Sequence, residues 1–284
     1  LRYDDRGFGE STGDVVSCTT EDLKNDALAG IGLLRGKFDH VGVLGHSEGG
    51  SIALMLAAEG KADFVISLAG MVASGSETLL DQNRRALQMA GVPESETNNY
   101  CRFLADAYEA VVNDMPLPSP ESYYLSAALK QNASMLSASL KTPYMKYFLK
   151  MNVSDILGSV KCPVMALNGT KDIQVSCERN LTLLRQGLPG SYSESVPVTG
   201  SGSERDSSSG SHSRPATAPT AETSSVSRSA SVSVINVIRA EAGLNHLFQH
   251  CRTGAVSEYK EIEETFSQDV LAEMITWLHT LFAR

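Results

Sequence analysis

The chain has few of the features that announce a metal, a membrane or a nucleic acid. It holds 5 cysteines in 284 residues, and Cys18, Cys101, Cys162, Cys177 and Cys251 are widely separated, with no C-x-x-C pair among them. That pattern signals neither a zinc site nor a disulfide scaffold, and reads as mostly buried thiols. No run of about 18 apolar residues occurs, so no membrane-spanning helix is expected. Lys and Arg total 24 against 33 Asp and Glu, a net charge of −9, and no basic cluster interrupts the acidic balance. Such a surface repels phosphate backbones, which excludes nucleic acid as an expected partner. Histidine is scarce too, at 6 residues, which shortens any search for a general base.

What is present is an alternation of short apolar runs and helical patterns. Val41-Gly42-Val43-Leu44 and Asp63 to Leu68 read as buried parallel strands. A helix is expected from Thr20, taken as its cap, with Leu23, Ala27, Leu28, Ile31 and Leu34 on one face. A second follows Ser47 and ends at Gly60. From Met71 to Lys161 no strand pattern appears; helical stretches are broken at Pro93, Pro116 to Pro120 and Pro143, and the block holds six of the 9 tyrosines. The sheet pattern resumes at Cys162 to Leu167, followed by a helix near Cys177 to Gln186, a strand at Val234 to Ile238, and an amphipathic helix from about Ser267. The grammar is that of an α/β sheet. It divides the chain into a first core segment, 1–70, a helical insertion, 71–161, and a second core segment, 162–284. One tract stands apart: thirteen of the 33 residues from Ser201 to Ser233 are serine, with almost no large apolar side chain, and disorder is expected there.

The sharpest local feature is Gly45-His46-Ser47-Glu48-Gly49, a G-x-S-x-G string. Chance alone yields about 0.2 such strings at this composition, so its context decides. A buried strand runs into it and an apolar helix runs out, the setting in which a strained turn lifts a serine hydroxyl above a sheet. The flanking glycines relieve crowding, Gly50 is expected to let helix and strand approach closely, and the Glu48 backbone N–H at the helix start is expected to aim at a developing oxyanion. A helix-capping serine in a glycine-rich turn is the plainer alternative.

A serine nucleophile needs a base and an orienting acid. His40 lies at the opposite strand end, His46 is in the turn itself, His212 falls in the serine-rich tract, and His279 sits within the last helix. His246 follows the strand ending at Ile238 through a loop, at a carboxyl end, where open α/β sheets build their sites. His250 is expected to pack or face solvent. Asp172 follows the strand Cys162 to Leu167 through Asn168-Gly169-Thr170-Lys171, with Glu178 as a fallback. A turn aspartate that only caps the next helix is the alternative.

With these residues in view, the chain resembles the bacterial α/β-hydrolase carboxylesterases, in the branch often grouped with serine aminopeptidases. The resemblance rests on L-R-Y-D-D-R-G-F-G-E-S-T-G at Leu1 to Gly13, G-H-S-E-G-G at Gly45 to Gly50, L-A-G at Leu68 to Gly70, C-P-V-M-A-L-N-G-T-K-D at Cys162 to Asp172, and G-L-N-H-L-F-Q at Gly243 to Gln249. It implies a mostly parallel sheet flanked by helices, with the helical block as a cap inserted between strands. It also implies hydrolysis of a small-molecule ester on Ser47 as nucleophile, Asp172 as acid and His246 as base, needing no metal or organic cofactor. Amide or thioester cleavage or acyl transfer on the same triad, and a non-catalytic binding module, remain open alternatives. Two departures stand out. Asp172 and His246 are 74 residues apart, or 41 once the 33-residue serine-rich tract is set aside. Leu1 falls inside the fourth strand of the family pattern, so strands one to three, with the loop that supplies a second oxyanion N–H, are expected to be missing. One lost donor costs about 2.7–4 kcal/mol, and the expectation is a fragment with feeble or no activity alone.

Overall fold

The computed structural model describes residues 1–195 and 235–282. The serine-rich tract, and with it His212, lies outside the described residues, as does Val234 at the start of the strand expected there. Five parallel strands form one sheet: β1 (Val43–His46), β2 (Val65–Leu68), β3 (Val164–Gly169), β4 (Ser191–Ser193) and β5 (Ile235–Glu241), in the order β1-β2-β3-β5-β4. Their registers pair Gly45 with Ser67, His46 with Leu68, Leu68 with Leu167, and Gly169 with Glu241. The carboxyl ends of β1, β2, β3 and β5 therefore finish along one edge, and the loops leaving them open on the same side of the sheet.

Helices cover both faces, as the continuous apolar strands require. Side chains alternate along a strand, so β2 sends Val65 to one face and Ile66 to the other, and β3 likewise divides Val164 and Ala166 from Met165 and Leu167. One face packs against α2 (Glu48–Ala58) through Ala53, Leu54 and Ala57, and against α7 (Cys177–Gly187) through Leu181 and Leu184. The other packs against α8 (Gln268–Phe282) through Val270, Met274 and Trp277. Helix α1 (Thr20–Arg35) lies on α2, joining Ile31 to Ile52 and Leu56.

Between β2 and β3 the chain makes α3 (Gly75–Met89), α4 (Glu94–Val112), α5 (Ala127–Ser139) and α6 (Pro143–Lys150), plus short 3₁₀ turns. This insertion has its own core, built on Tyr100, Phe103, Leu104, Tyr108 and Leu140. Its two ends meet: Gly75 N–H donates to the Met151 carbonyl at 3.0 Å and Ser154 N–H to that of Val72 at 2.9 Å. The start of α3 runs so close to α6 that a Cβ on Gly75 would sit 1.9 Å from the Phe148 carbonyl oxygen.

Two local expectations shift, and one strand is unforeseen. The cap of α1 is Thr19, whose hydroxyl accepts from Asp22 N–H while the Asp22 carboxylate accepts from Thr19 N–H at 2.9 Å. Thr20 is the first helical residue, and either of two adjacent threonines fits the sequence pattern. Residues 1–17 form no strand or helix; Arg6 pins this segment to α1 by two bonds of 2.6 Å to the Asp26 carboxylate. A strand there needs a ladder partner, and β1 is instead the sheet's edge among the described residues, with Leu44 55% exposed. Strand β4, three residues with Tyr192 exposed, carries no apolar signal that the sequence reading could register.

Candidate active site

Ser47 stands between β1 and α2 with no intervening residue, at φ 54° and ψ −122°. A left-handed φ at a residue with a Cβ stores about 1–3 kcal/mol, which surrounding contacts must hold in place. Ser47 N–H donates to the Leu68 carbonyl at 2.8 Å and its carbonyl accepts from Gly50 N–H at 2.9 Å, while its hydroxyl makes no capping bond. The sharp turn needs close backbone approach. A Cβ on Gly45 would lie 1.9 Å from the Gly49 carbonyl oxygen, and one on Gly50 would lie 2.6 Å from Gly70 Cα. The expectation that both flanking glycines relieve crowding holds for Gly45 but not for Gly49, where a Cβ would meet nothing within 4 Å. The close helix–strand approach expected at Gly50 is present, because that residue faces β2.

Asp172 lies in the turn after β3 and is 1% exposed. Its Oδ1 accepts from the backbone N–H groups of Gln174 and Val175 at 2.8 and 2.9 Å. Its Oδ2 accepts from Asn168 Nδ2 at 3.1 Å and faces His246 Nδ1 at 2.7 Å. Four donors thus surround one buried carboxylate, which is the arrangement that supports a buried negative charge. Asn168 is held in turn by Asn180, whose amide donates to it at 2.8 Å and whose oxygen accepts from Val72 N–H at 2.9 Å. This chain of amides ties Asp172 to α7 and to the entry of the helical insertion. Neither asparagine was singled out from sequence; the only signal is a polar residue, Asn168, interrupting a buried strand.

His246 is 4% exposed, in a loop closed on itself. Asn245 Oδ1 accepts from the N–H groups of Leu247 and Gln249 at 2.9 and 3.0 Å, and Phe248 takes φ 59°. The Asp172 and His246 loops also clasp each other, with Lys171 N–H donating to the Leu244 carbonyl at 2.9 Å. His46, next to Ser47, reaches the same loop: its Nε2 is 2.7 Å from the His246 carbonyl oxygen and its ring 4.7 Å from the His246 ring. The structure therefore brings Asp172 and His246 into direct contact and sets their loop against the residue preceding Ser47. No hydrogen bond joins the Ser47 hydroxyl to His246 among the described residues.

The Glu48 backbone N–H is at the first position of α2, where the helix supplies it no partner. Both oxygens of the Glu48 carboxylate are hydrogen-bonded. One oxygen accepts from the Thr20 hydroxyl and the other from the Tyr144 phenol, both at 2.6 Å. Burial, followed by the neighbouring Glu48 charge, pushes the Tyr144 pKa up, so the phenol stays a donor. Elements α1, α2 and α6 are joined at this point. Arg85 of α3 reaches the Asp172 turn, donating to the Ser176 hydroxyl at 2.7 Å and to the Asp172 carbonyl at 3.3 Å. A cavity of about 460 Å³ opens beside the turn, lined by Tyr3, Leu23, Leu44, His46, Ser47 and Glu48 among others.

The other candidates lie elsewhere. His40 stacks near Phe282 at the amino end of β1, with ring centroids 4.8 Å apart. His250 is solvent-facing and paired with Glu264 at 3.0 Å. Glu178 is in the first turn of α7, and Asp172 takes the position facing His246. Among the described residues, no group of three His, Cys, Asp or Glu side chains is arranged to hold a metal, and no helix is long and apolar enough to cross a membrane.

No family model and no curated protein matches the chain. Among solved structures it is similar to a hydrolase from Pseudomonas aeruginosa PA01, at 19% identity over 66% of this chain and 67% of that one, with a TM-score of 0.38. It is also similar to an esterase from Pyrococcus furiosus, at 16% identity over 64% of this chain and 55% of that one, TM-score 0.38. A third is an enol-lactonase from Burkholderia xenovorans LB400, at 19% identity over 66% of this chain and 68% of that one, TM-score 0.36. The chain thus spans between 55% and 68% of the length of these three structures.

Proposed function

We propose that the chain is a serine hydrolase of the α/β-hydrolase type that cleaves carboxylic esters. The observation that supports this reading is a serine in a left-handed strand-to-helix turn on the same sheet edge as a buried His–Asp pair of 2.7 Å. In the proposed reaction, His246 Nε2 takes the Ser47 hydroxyl proton as Oγ attacks the acyl carbon. Asp172 holds the other imidazole proton on Nδ1 and stabilises the imidazolium. The oxyanion forms against Glu48 N–H, and His246 returns its proton to the departing alcohol. Water then repeats the sequence on the acyl-Ser47, releasing the acid and restoring the serine.

The Glu48 carboxylate favours esters over amino-terminal peptide bonds. An aminopeptidase needs a carboxylate turned to the substrate ammonium, and the two Glu48 oxygens are turned instead to the Thr20 hydroxyl and the Tyr144 phenol. The test is hydrolysis of p-nitrophenyl acetate and butyrate, beside an aminoacyl p-nitroanilide, by the purified chain and by Ser47→Ala, with circular dichroism on both. Ester turnover that disappears in the variant supports the proposal. Turnover of the anilide alone points to a peptidase, and a folded chain inert to every substrate points to a binding module.

A further inference from the structure

Ser47 and His246 ride on strands three places apart in the sheet, β1 and β5, a span of about 14 Å at ordinary strand spacing. The acid and the base need no help to stay together, because β3 and β5 are neighbours, their loops exchange backbone bonds, and Asp172 bonds His246 directly. Nothing in that arrangement fixes the pair relative to the serine. The bond between His46 Nε2 and the His246 carbonyl does, linking residues 200 apart in sequence. Among the described residues no other hydrogen bond joins segment 43–50 to segment 243–250.

We propose that His46 is a positioning residue for His246, holding the base at its working distance from the adjacent Ser47. The inference rests on the hydrolase reading of the site. A carbonyl only accepts, so His46 carries its proton on Nε2, and the bond fixes that tautomer. The ring also meets the His246 ring at 50° and the Phe248 ring edge-on at 6.4 Å, so the contact is made to the backbone and to both flanking rings of the loop. The charged or titratable groups facing His46 are His246 itself and Asp172 behind it. The His46 side-chain hydrogen bond goes to the main chain of the base, not to a reacting atom. Its removal lets the base drift, and displacement of a reacting group by about 1 Å costs about 100-fold in rate.

The test uses His46→Phe, which keeps an aromatic ring without a donor, and His46→Gln, whose side-chain amide restores one near the Nε2 position. Expected for His46→Phe is a fall of about 10- to 100-fold in kcat for p-nitrophenyl butyrate and in the rate of fluorophosphonate labelling of Ser47, with KM changed less than about threefold. Recovery of most of the lost rate is expected in His46→Gln. Long-range proton–nitrogen NMR on the unmodified chain should report the Nε2–H tautomer at His46, a readout that needs neither activity nor a variant. Labelling of His46→Phe at the parent rate, failure of Gln to rescue, or an Nδ1–H tautomer at His46 overturns the role. A parent chain that never labels overturns the hydrolase reading itself, and the positioning role with it.

Discussion

Replacing Asp172 by asparagine changes one atom in a site where all four surrounding donors are accounted for. Asparagine has two ways to sit. With its NH₂ at the Oδ1 position, it faces the N–H groups of Gln174 and Val175, now 2.8 and 2.9 Å from a donor. Two buried N–H groups left without acceptors cost about 1–3 kcal/mol each. With its NH₂ at the Oδ2 position, those bonds survive, and the conflict moves to Asn168 and to His246 Nδ1 at 2.7 Å. His246 escapes it by moving its proton to Nε2, so the second arrangement wins. An Nε2–H imidazole has no lone pair for the Ser47 proton, and a wrong tautomer of this kind costs about 10⁴-fold in kcat. At about 1.36 kcal/mol per decade, that is about 5.4 kcal/mol of transition-state stabilisation. The unpaired Asn168 amide adds about 1–3 kcal/mol of lost stability, which a thermal melt separates from the catalytic loss. The assay is p-nitrophenyl butyrate hydrolysis together with the pseudo-first-order rate of fluorophosphonate labelling. An Asp172→Asn chain that is folded and within tenfold of the parent in both would refute the assignment of Asp172 as the orienting acid.

Three other outcomes are expected. Gly45→Ala should lose well over 3 kcal/mol of stability or fail to fold, since its Cβ would overlap backbone at 1.9 Å, beyond the about 1–3 kcal/mol of ordinary overpacking; Gly49→Ala should be neutral or stabilising by up to about 1 kcal/mol, as a helix position with free space, with urea denaturation reading both. Burial lowers the His46 pKa from its ordinary 6.5, so the unfolded chain binds the proton more readily. The corresponding stability is complete above about pH 6.5 and is lost as pH falls through the depressed folded value; urea midpoints from pH 7.5 to 5 should fall less steeply in His46→Gln than in the parent.

The three residues proposed for the chemistry were legible because each follows the carboxyl end of an apolar strand, and strand ends are what periodicity finds. Ser47 carried a glycine signature besides. The supporting layer was not legible. Asn168 and Asn180 act through a bond between β3 and α7, His46 through a bond to a residue 200 positions away, and Glu48 through Thr20 and Tyr144. No local pattern encodes a partner fixed only by tertiary packing. The architecture of a parallel sheet with helices on both faces followed from apolar runs such as Val65 to Leu68, buried at every position. Strand β4 escaped because Ser191-Tyr192-Ser193 has no buried face to impose alternation. Gly49 differs from expectation for another reason: the five-residue string treats its two glycines alike, whereas of the three glycines here only Gly45 and Gly50, the latter as expected, make close backbone approaches.

The central claim is that Ser47 is a nucleophile activated by His246. Covalent labelling with a fluorophosphonate tests it most directly, because a single attack leaves a permanent mark however slow later turnover is. The account predicts one phosphonyl adduct on the peptide carrying Ser47, abolished in Ser47→Ala and slowed at least 100-fold in His246→Ala with circular dichroism unchanged. A folded parent chain that acquires no adduct, or one labelled equally in the Ser47→Ala variant, would contradict it.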